Sequence, residues 1–120
     1  MTSTINLNDY PYLTKEICEE QIKGNDEVIQ KLIDAGDNPN IEREIEHFIY
    51  FETIVNRDAF CNEISNLRYR YENAEENIEV KIGKISSISK EKIDADVLEI
   101  CNISVKHKGN YDGWGCLVQK

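Results

Sequence analysis

Two histidines, four cysteines and several runs of adjacent carboxylates are the residues of this 120-residue chain that could do chemistry. Nucleophilic catalysis needs a cysteine or serine beside a base, and the imidazoles are His47 and His107. His47 lies between Glu46 and Phe48 in a β-rich stretch, where it is either the general base of a small hydrolase or a hydrogen-bonded structural ring. The second role is the commoner one for an imidazole on a sheet face. His107, between Lys106 and Lys108 near a helix end, suits interaction with the helix dipole. Cys18, Cys61, Cys101 and Cys116 are far apart, form no Cys-x-x-Cys pair, and have no histidine at ligand spacing. Their apolar settings, such as Ala59-Phe60-Cys61, read as buried free thiols rather than a metal or disulfide framework. Gly113-Trp114-Gly115 is neither a P-loop nor a dinucleotide fingerprint. No catalytic set, cofactor or metal is expected, and the chain reads as a non-enzyme.

The acids point to binding instead. Asp and Glu number 23 against 14 Lys and Arg, a net charge of −9 at pH 7. The imbalance is uneven: residues 1–83 hold 18 acids and 8 bases, net −10, while residues 84–120 hold 5 acids and 6 bases, net +1. Such a surface repels phosphate backbones, which disfavours direct nucleic-acid binding. It attracts a basic protein partner and speeds that encounter. Glu19 with Glu20, Asp26 with Glu27, Glu44 with Glu46, and Glu75 with Glu76 are the candidate partner contacts. The plainer reading of these pairs is solvated helix faces and turns.

The elements that must position these residues follow from periodicity. Hydrophobic residues make up 40% of the chain and charged residues 31%, a globular mixture long enough for one core. Residues 1–13 read as an irregular extension and residues 14–120 as one domain. No apolar run approaches the roughly 20 residues of a membrane span, and the N-terminus lacks a secretory pattern, so a cytoplasmic location is expected. From Thr14 to Ala35, Cys18, Ile22, Ile29, Leu32 and Ile33 share a helical face. Gly24-Asn25-Asp26-Glu27 interrupts it, leaving either one bent helix or two. Gly36 ends the element, and Asp37-Asn38-Pro39-Asn40 is turn chemistry.

Arg43 to Phe51 predicts a strand with apolar residues on both faces, hence a central one. Thr53 to Leu67 predicts a helix buried through Val55, Ala59, Phe60, Ile64 and Leu67. Strands are expected over 68–75 and 77–87, the second buried through Ile78, Val80, Ile82 and Ile85 to Ile88. A helix capped by Ser89 follows, with Asp94 and Asp96 in its acidic early turns, a stripe of Ile93, Val97, Leu98, Cys101 and Val105, and Gly109 at C′. A turn over Asn110–Gly113 then leads to a last strand, Trp114 to Gln119. The order, a helix followed by β-α-β-β-α-β, predicts an α+β fold: a ferredoxin-like antiparallel sheet with helices on one face. The extra N-terminal helix would cover an edge or the free face. Within Tyr111-Asp112-Gly113-Trp114-Gly115, the Asp-Gly pair is expected to turn the chain and Trp114 to anchor the last strand on the core edge, with an exposed interface anchor as the alternative.

The stretches "LIDAGDNPNIEREIEHFIYF" (Leu32–Phe51) and "KHKGNYDGWGC" (Lys106–Cys116) resemble the RraB family of ribonuclease E regulators. The likeness covers about residues 25–119, and the Tyr-Asp-Gly-Trp-Gly motif is its most specific part. The chain departs from the enterobacterial members in its N-terminal extension and at Cys116, where the likeness leads one to expect threonine. The resemblance implies a ferredoxin-like fold and a small acidic protein that restrains an endoribonuclease by associating with it. An acidic surface of this kind would mimic phosphate spacing and occupy a basic RNA-binding segment of the enzyme. An immunity protein neutralising a cognate ribonuclease toxin is the alternative.

Overall fold

The structure, a computed structural model, describes residues 6–72 and 78–120. Helix α1 (Lys15–Asp34) opens on Thr14, whose Oγ1 accepts from the Ile17 N–H, and closes on Gly36 at φ +96°. It is one continuous helix. Gly24 sits inside it at a cost of about 1 kcal/mol relative to alanine, and its neighbour Asn25 is buried. Strand β1 (Arg43–Tyr50), helix α2 (Ile54–Ile64), strands β2 (Arg70–Glu72) and β3 (Glu79–Ser86), helix α3 (Lys90–Lys106) and strand β4 (Asn110–Gly115) follow.

The protein is α+β. Its four strands form one sheet in the order β2-β3-β1-β4, every adjacent pair antiparallel. β1 is interior, as its two-sided apolar pattern predicts. Arg43, Ile45, His47 and Ile49 alternate into the core, and Glu44, Glu46, Phe48 and Tyr50 face the other way. Ile45 and Ile49 meet Val80 and Ile82 of β3, Phe60 and Ile64 of α2, and Ile93, Val97 and Ile100 of α3 in one cluster. Each such side chain contributes about 1.5–3 kcal/mol on burial. α3 is the hub of the helix layer, packing on α1, α2 and β4. α1 therefore extends that layer, and among the described residues no helix covers the opposite face of the sheet.

Several expected boundaries move, each for a local reason. The last strand begins at Asn110, not Trp114, because Lys108 at φ +61° already completes the reversal after α3. Asp112 and Gly113 make a bulge rather than a turn. β1 pairs Phe48 with Gly113 but Ile49 with Tyr111, so Asp112 is the extra residue, and Gly113 at φ +130° absorbs it. Gly109 is thus not the left-handed C′ residue. It is glycine because a Cβ there would stand 2.4 Å from Cε1 of the Phe51 ring. The segment at Leu7–Asp9, expected to be irregular, forms a 3-10 turn.

α2 stops at Ile64, short of Leu67, and β2 spans only three residues. The expected turn near residues 73–77 lies outside the described residues. Ile33, Val55, Leu67, Ile78, Ile85 and Val105, expected in apolar faces, are exposed. For Ile85 the cause is parity: it sits an odd number of residues from Ile82 and so projects from the other face of β3. Ser89 is the N-cap residue but makes no capping hydrogen bond; its Oγ accepts from the Ser87 hydroxyl instead.

Candidate functional site

β1 and β4 bring His47 and Tyr111 together in the core. His47 Nδ1 and the Tyr111 hydroxyl share a hydrogen bond of 2.8 Å, and His47 is only 1% exposed. Burial, reinforced by the charge of Lys84, lowers the His47 pKa to about 3, so the ring is neutral at physiological pH. Burial also raises the Tyr111 pKa well above its usual value, which keeps the phenol protonated. A general base must reach its substrate, and this enclosed ring reaches a core tyrosine. The hydrolase reading thereby loses its base.

One residue further along β4 from the bulge, Trp114 lies opposite His47 on the helix-covered face. Its Nε1–H donates to Asn25 Oδ1 at 2.9 Å, and Asn25 Nδ2 donates to Asp94 Oδ1 at 3.0 Å. Lys90 Nζ closes the chain, donating to Asp94 at 2.9 Å and to Asp26 at 2.7 Å. The relay ties β4, α1 and α3 together, with buried Asn25 and Asp94 at its centre and the Lys90–Asp26 pair at its exposed end.

A second cluster fastens the C-terminal tail. Arg43 donates to both carboxylate oxygens of Asp37, at 2.7 and 2.9 Å, and to the carbonyls of Ile41 and Asn38. The Gln119 N–H donates to Asp37 Oδ2, and the Asn38 N–H to the Gln119 carbonyl. The guanidinium holds the Asp37 carboxyl below its ordinary range. Cys116, half-buried, has its Sγ 3.4 Å from Arg43 Nη1. The other three thiols are buried, and burial raises the pKa of each, that of Cys101 to about 11. Among the described residues no group of three or more His, Cys, Asp or Glu could hold a metal ion.

At the far side of α3, Tyr69 donates to Glu99 at 2.8 Å and lies 3.2 Å from Asp96, whose carboxylate also takes Lys84 Nζ at 2.8 Å. Burial and the two carboxylates raise the phenol pKa. Asp94 and Asp96 thus serve in buried networks rather than simply facing the helix dipole. His107 has a partner too: its Nε2 is 2.8 Å from Glu63 Oε1, which Lys106 Nζ also approaches, at 2.9 Å, pinning α2 to the end of α3.

The candidate acidic contacts do not converge. Glu19, Glu20, Asp26 and Glu27 are exposed on α1, in the helix layer, with Glu19 near Lys15 and Asp26 held by Lys90. Glu44 and Glu46 stand on the uncovered sheet face, paired with Arg70 and Lys81 respectively. A shallow cleft of about 470 Å³ beside them is lined in part by Arg70, Glu72, Lys81 and Gly83. Glu75 and Glu76 lie outside the described residues. The motif residues Tyr111 to Gly115 are all within β4.

Pattern alone does not mark Asn25, Asp37, Arg43, Tyr69 and Asp96 as members of buried polar networks. Asn25 did carry a signal: it occupies the seventh step from Cys18 in the stripe Cys18, Ile22, Asn25, Ile29, Leu32, a polar residue where burial is expected. Asp37 and Arg43 bracket the turn before β1, but nothing in their spacing announces a buried pair.

The profile of a family described as "Regulator of ribonuclease activity B", RraB, matches residues 23–116. The regulator of ribonuclease activity B of Proteus mirabilis (strain HI4320) is 31% identical over 111 residues, 85% of this chain and 76% of that protein. The Escherichia coli (strain K12) protein of the same name is 28% identical over 109 residues, 83% of this chain and 78% of its own. That of Shewanella amazonensis (strain ATCC BAA-1098 / SB2B) is 24% identical over 110 residues, covering 84% and 77% respectively. The matched span takes in Asn25, the Asp37–Arg43 latch, His47 and the whole of β4. The chain belongs to the RraB family of regulators of ribonuclease activity.

Proposed function

We propose that this protein is a non-enzymatic, cytoplasmic regulator that binds a ribonuclease and inhibits it through an acidic surface, without itself touching RNA. We read residues 14–120 as one RraB-like domain, and the strand order β2-β3-β1-β4 supports a ferredoxin-like arrangement preceded by α1. The observation that carries the functional reading is the uncovered sheet face bearing Glu44 and Glu46, on a chain whose family regulates ribonucleases. A basic RNA-binding segment of the enzyme, met by carboxylates, is withdrawn from its substrate.

Tagged protein passed over lysate identifies co-eluting ribonucleases by mass spectrometry, and the cleavage rate of each is then measured with and without the pure protein. At least one ribonuclease is expected to co-elute and to be slowed. Raising ionic strength from low to physiological is expected to reduce the association rate by about tenfold. If no ribonuclease is retained, or cleavage is indifferent to added protein, the reading fails.

A further inference from the structure

We propose that the uncovered sheet face along β4 is a docking shelf for an arginine side chain in a basic segment of the protein partner. This deepens the regulator reading and rests on it. On that face β1 presents Glu46 and Phe48, and their cross-strand partners on β4 are Gly115 and Gly113. β4 therefore sets no side chain beside the carboxylate or the ring. A Cβ added at either glycine meets nothing within 4 Å, so the space is open.

Gly113 is demanded by its φ of +130°, but Gly115 has neither a positive φ nor a close neighbour. Among the described residues none requires glycine at 115, and the bare backbone there leaves room for a partner's side chain to approach. The result is an open stretch of β4 backbone next to Phe48 and Glu46 of β1, with exposed Asp112 in the bulge beside it and the Glu46 carboxylate also accepting from Lys81 on the β3 side.

The chemistry of these neighbours selects the occupant. A guanidinium is flat, stacks on an aromatic face and donates in a fork to a carboxylate. An ammonium is a hydrated point charge that does not stack in this way. The long-range field agrees: Glu44, Glu46, Glu72 and Glu79 on this face and its β2 edge outnumber Arg70 and Lys81. The β3 side of Phe48 is already taken, since its partner there is Lys81, which holds Glu46 at 3.0 Å and Glu72 at 3.4 Å. The β4 side is the open one.

Isotope-labelled full-length protein titrated with an arginine nonapeptide, and separately with a lysine nonapeptide, tests the assignment by backbone amide NMR. The arginine peptide is expected to shift the amides of Phe48, Gly113 and Gly115 and to bind at least fivefold tighter than the lysine peptide. Gly115→Leu, which fills the shelf, and Glu46→Gln, which removes its charge, are each expected to weaken arginine-peptide binding at least fivefold. Glu19→Gln with Glu20→Gln on α1 is expected to leave it unchanged. Equal affinity for the two peptides, shifts centred on α1, or unaltered binding by a folded Gly115→Leu or Glu46→Gln protein overturns the proposal. The same variants separate this inference from the functional reading. A protein that slows a ribonuclease equally well with Gly115→Leu keeps its function and loses this site, whereas one that slows none loses the function itself.

Discussion

Trp114 and Asn25 stand 89 residues apart in sequence and 2.9 Å apart in space, the indole N–H donating to the side-chain carbonyl of a residue that is 2% exposed. Asn25 spends its amide group on Asp94, so losing the indole leaves a buried acceptor unpaired. An unsatisfied buried polar group costs about 1–3 kcal/mol. Trp114→Phe, which keeps most of the ring, is expected to lose that amount in urea denaturation. Trp114→Ala, which also removes a half-buried indole, is expected to lose about 3 kcal/mol or more. Wild-type stability in Trp114→Phe would show that the relay contributes nothing.

Removing one partner of a buried ion pair leaves the other charge uncompensated, at a cost of about 3–5 kcal/mol. Asp37→Ala and Arg43→Ala are each expected to show that loss, and the double variant to lose far less than their sum. The pH dependence has a definite sign. Because Arg43 depresses the folded-state pKa of Asp37 below its ordinary 3.8, the pair's contribution is fully present above that value and is lost as pH falls through the folded value. Acid denaturation of wild type and Asp37→Asn checks this: their stability difference is expected to shrink below about pH 4.

His47 titrates in a different window. Its folded pKa of about 3 lies below the ordinary 6.5, so between these values the unfolded chain holds a proton that the folded chain lacks. Its contribution is therefore complete above pH 6.5 and falls as pH drops toward 3, by up to about 1.4 kcal/mol per pH unit. His47→Gln, which keeps a polar partner for Tyr111, is expected to flatten the stability slope between about pH 4.5 and 6.5. Parallel slopes for the two proteins in that window would contradict the burial argument.

Gly109 and Gly115 make an opposed pair. Alanine at 109 places its Cβ 2.4 to 2.9 Å from three carbons of the buried Phe51 ring, and overpacking of this kind costs about 1–3 kcal/mol. Alanine at 115 meets nothing within 4 Å. Gly109→Ala is expected to lower the melting temperature by several degrees and Gly115→Ala to leave it nearly unchanged, both measured by calorimetry. Equal effects at the two positions would show that the Phe51 contact is not what demands glycine.

What the order of residues determined by itself is whatever burial writes locally. β1 alternates because one of its faces is covered, while Phe48 and Tyr50 stand on the uncovered face, half-buried and exposed respectively. α1 and α3 announce themselves through apolar steps of three and four, since one stripe of each must meet the core. The negative charge of residues 1–83 is equally plain.

Only the tertiary structure decided which polar groups pair, because a hydrogen bond depends on two surfaces meeting and leaves no periodic trace in either. Asn25 could be marked as a polar residue in an apolar stripe, but not matched to Trp114 and Asp94. Arg43 could be placed on a buried face, but not on Asp37 and the C-terminal tail. The bulge at Asp112 depends on the register that β1 imposes; the left-handed residue after α3 is Lys108, and Gly109 lacks a side chain because Phe51 fills the space beside it. The candidate acids were legible as types, yet their division between α1 and the uncovered sheet face follows from how the helix layer packs on α3. That packing leaves Glu46, Phe48 and two glycines together on open ground.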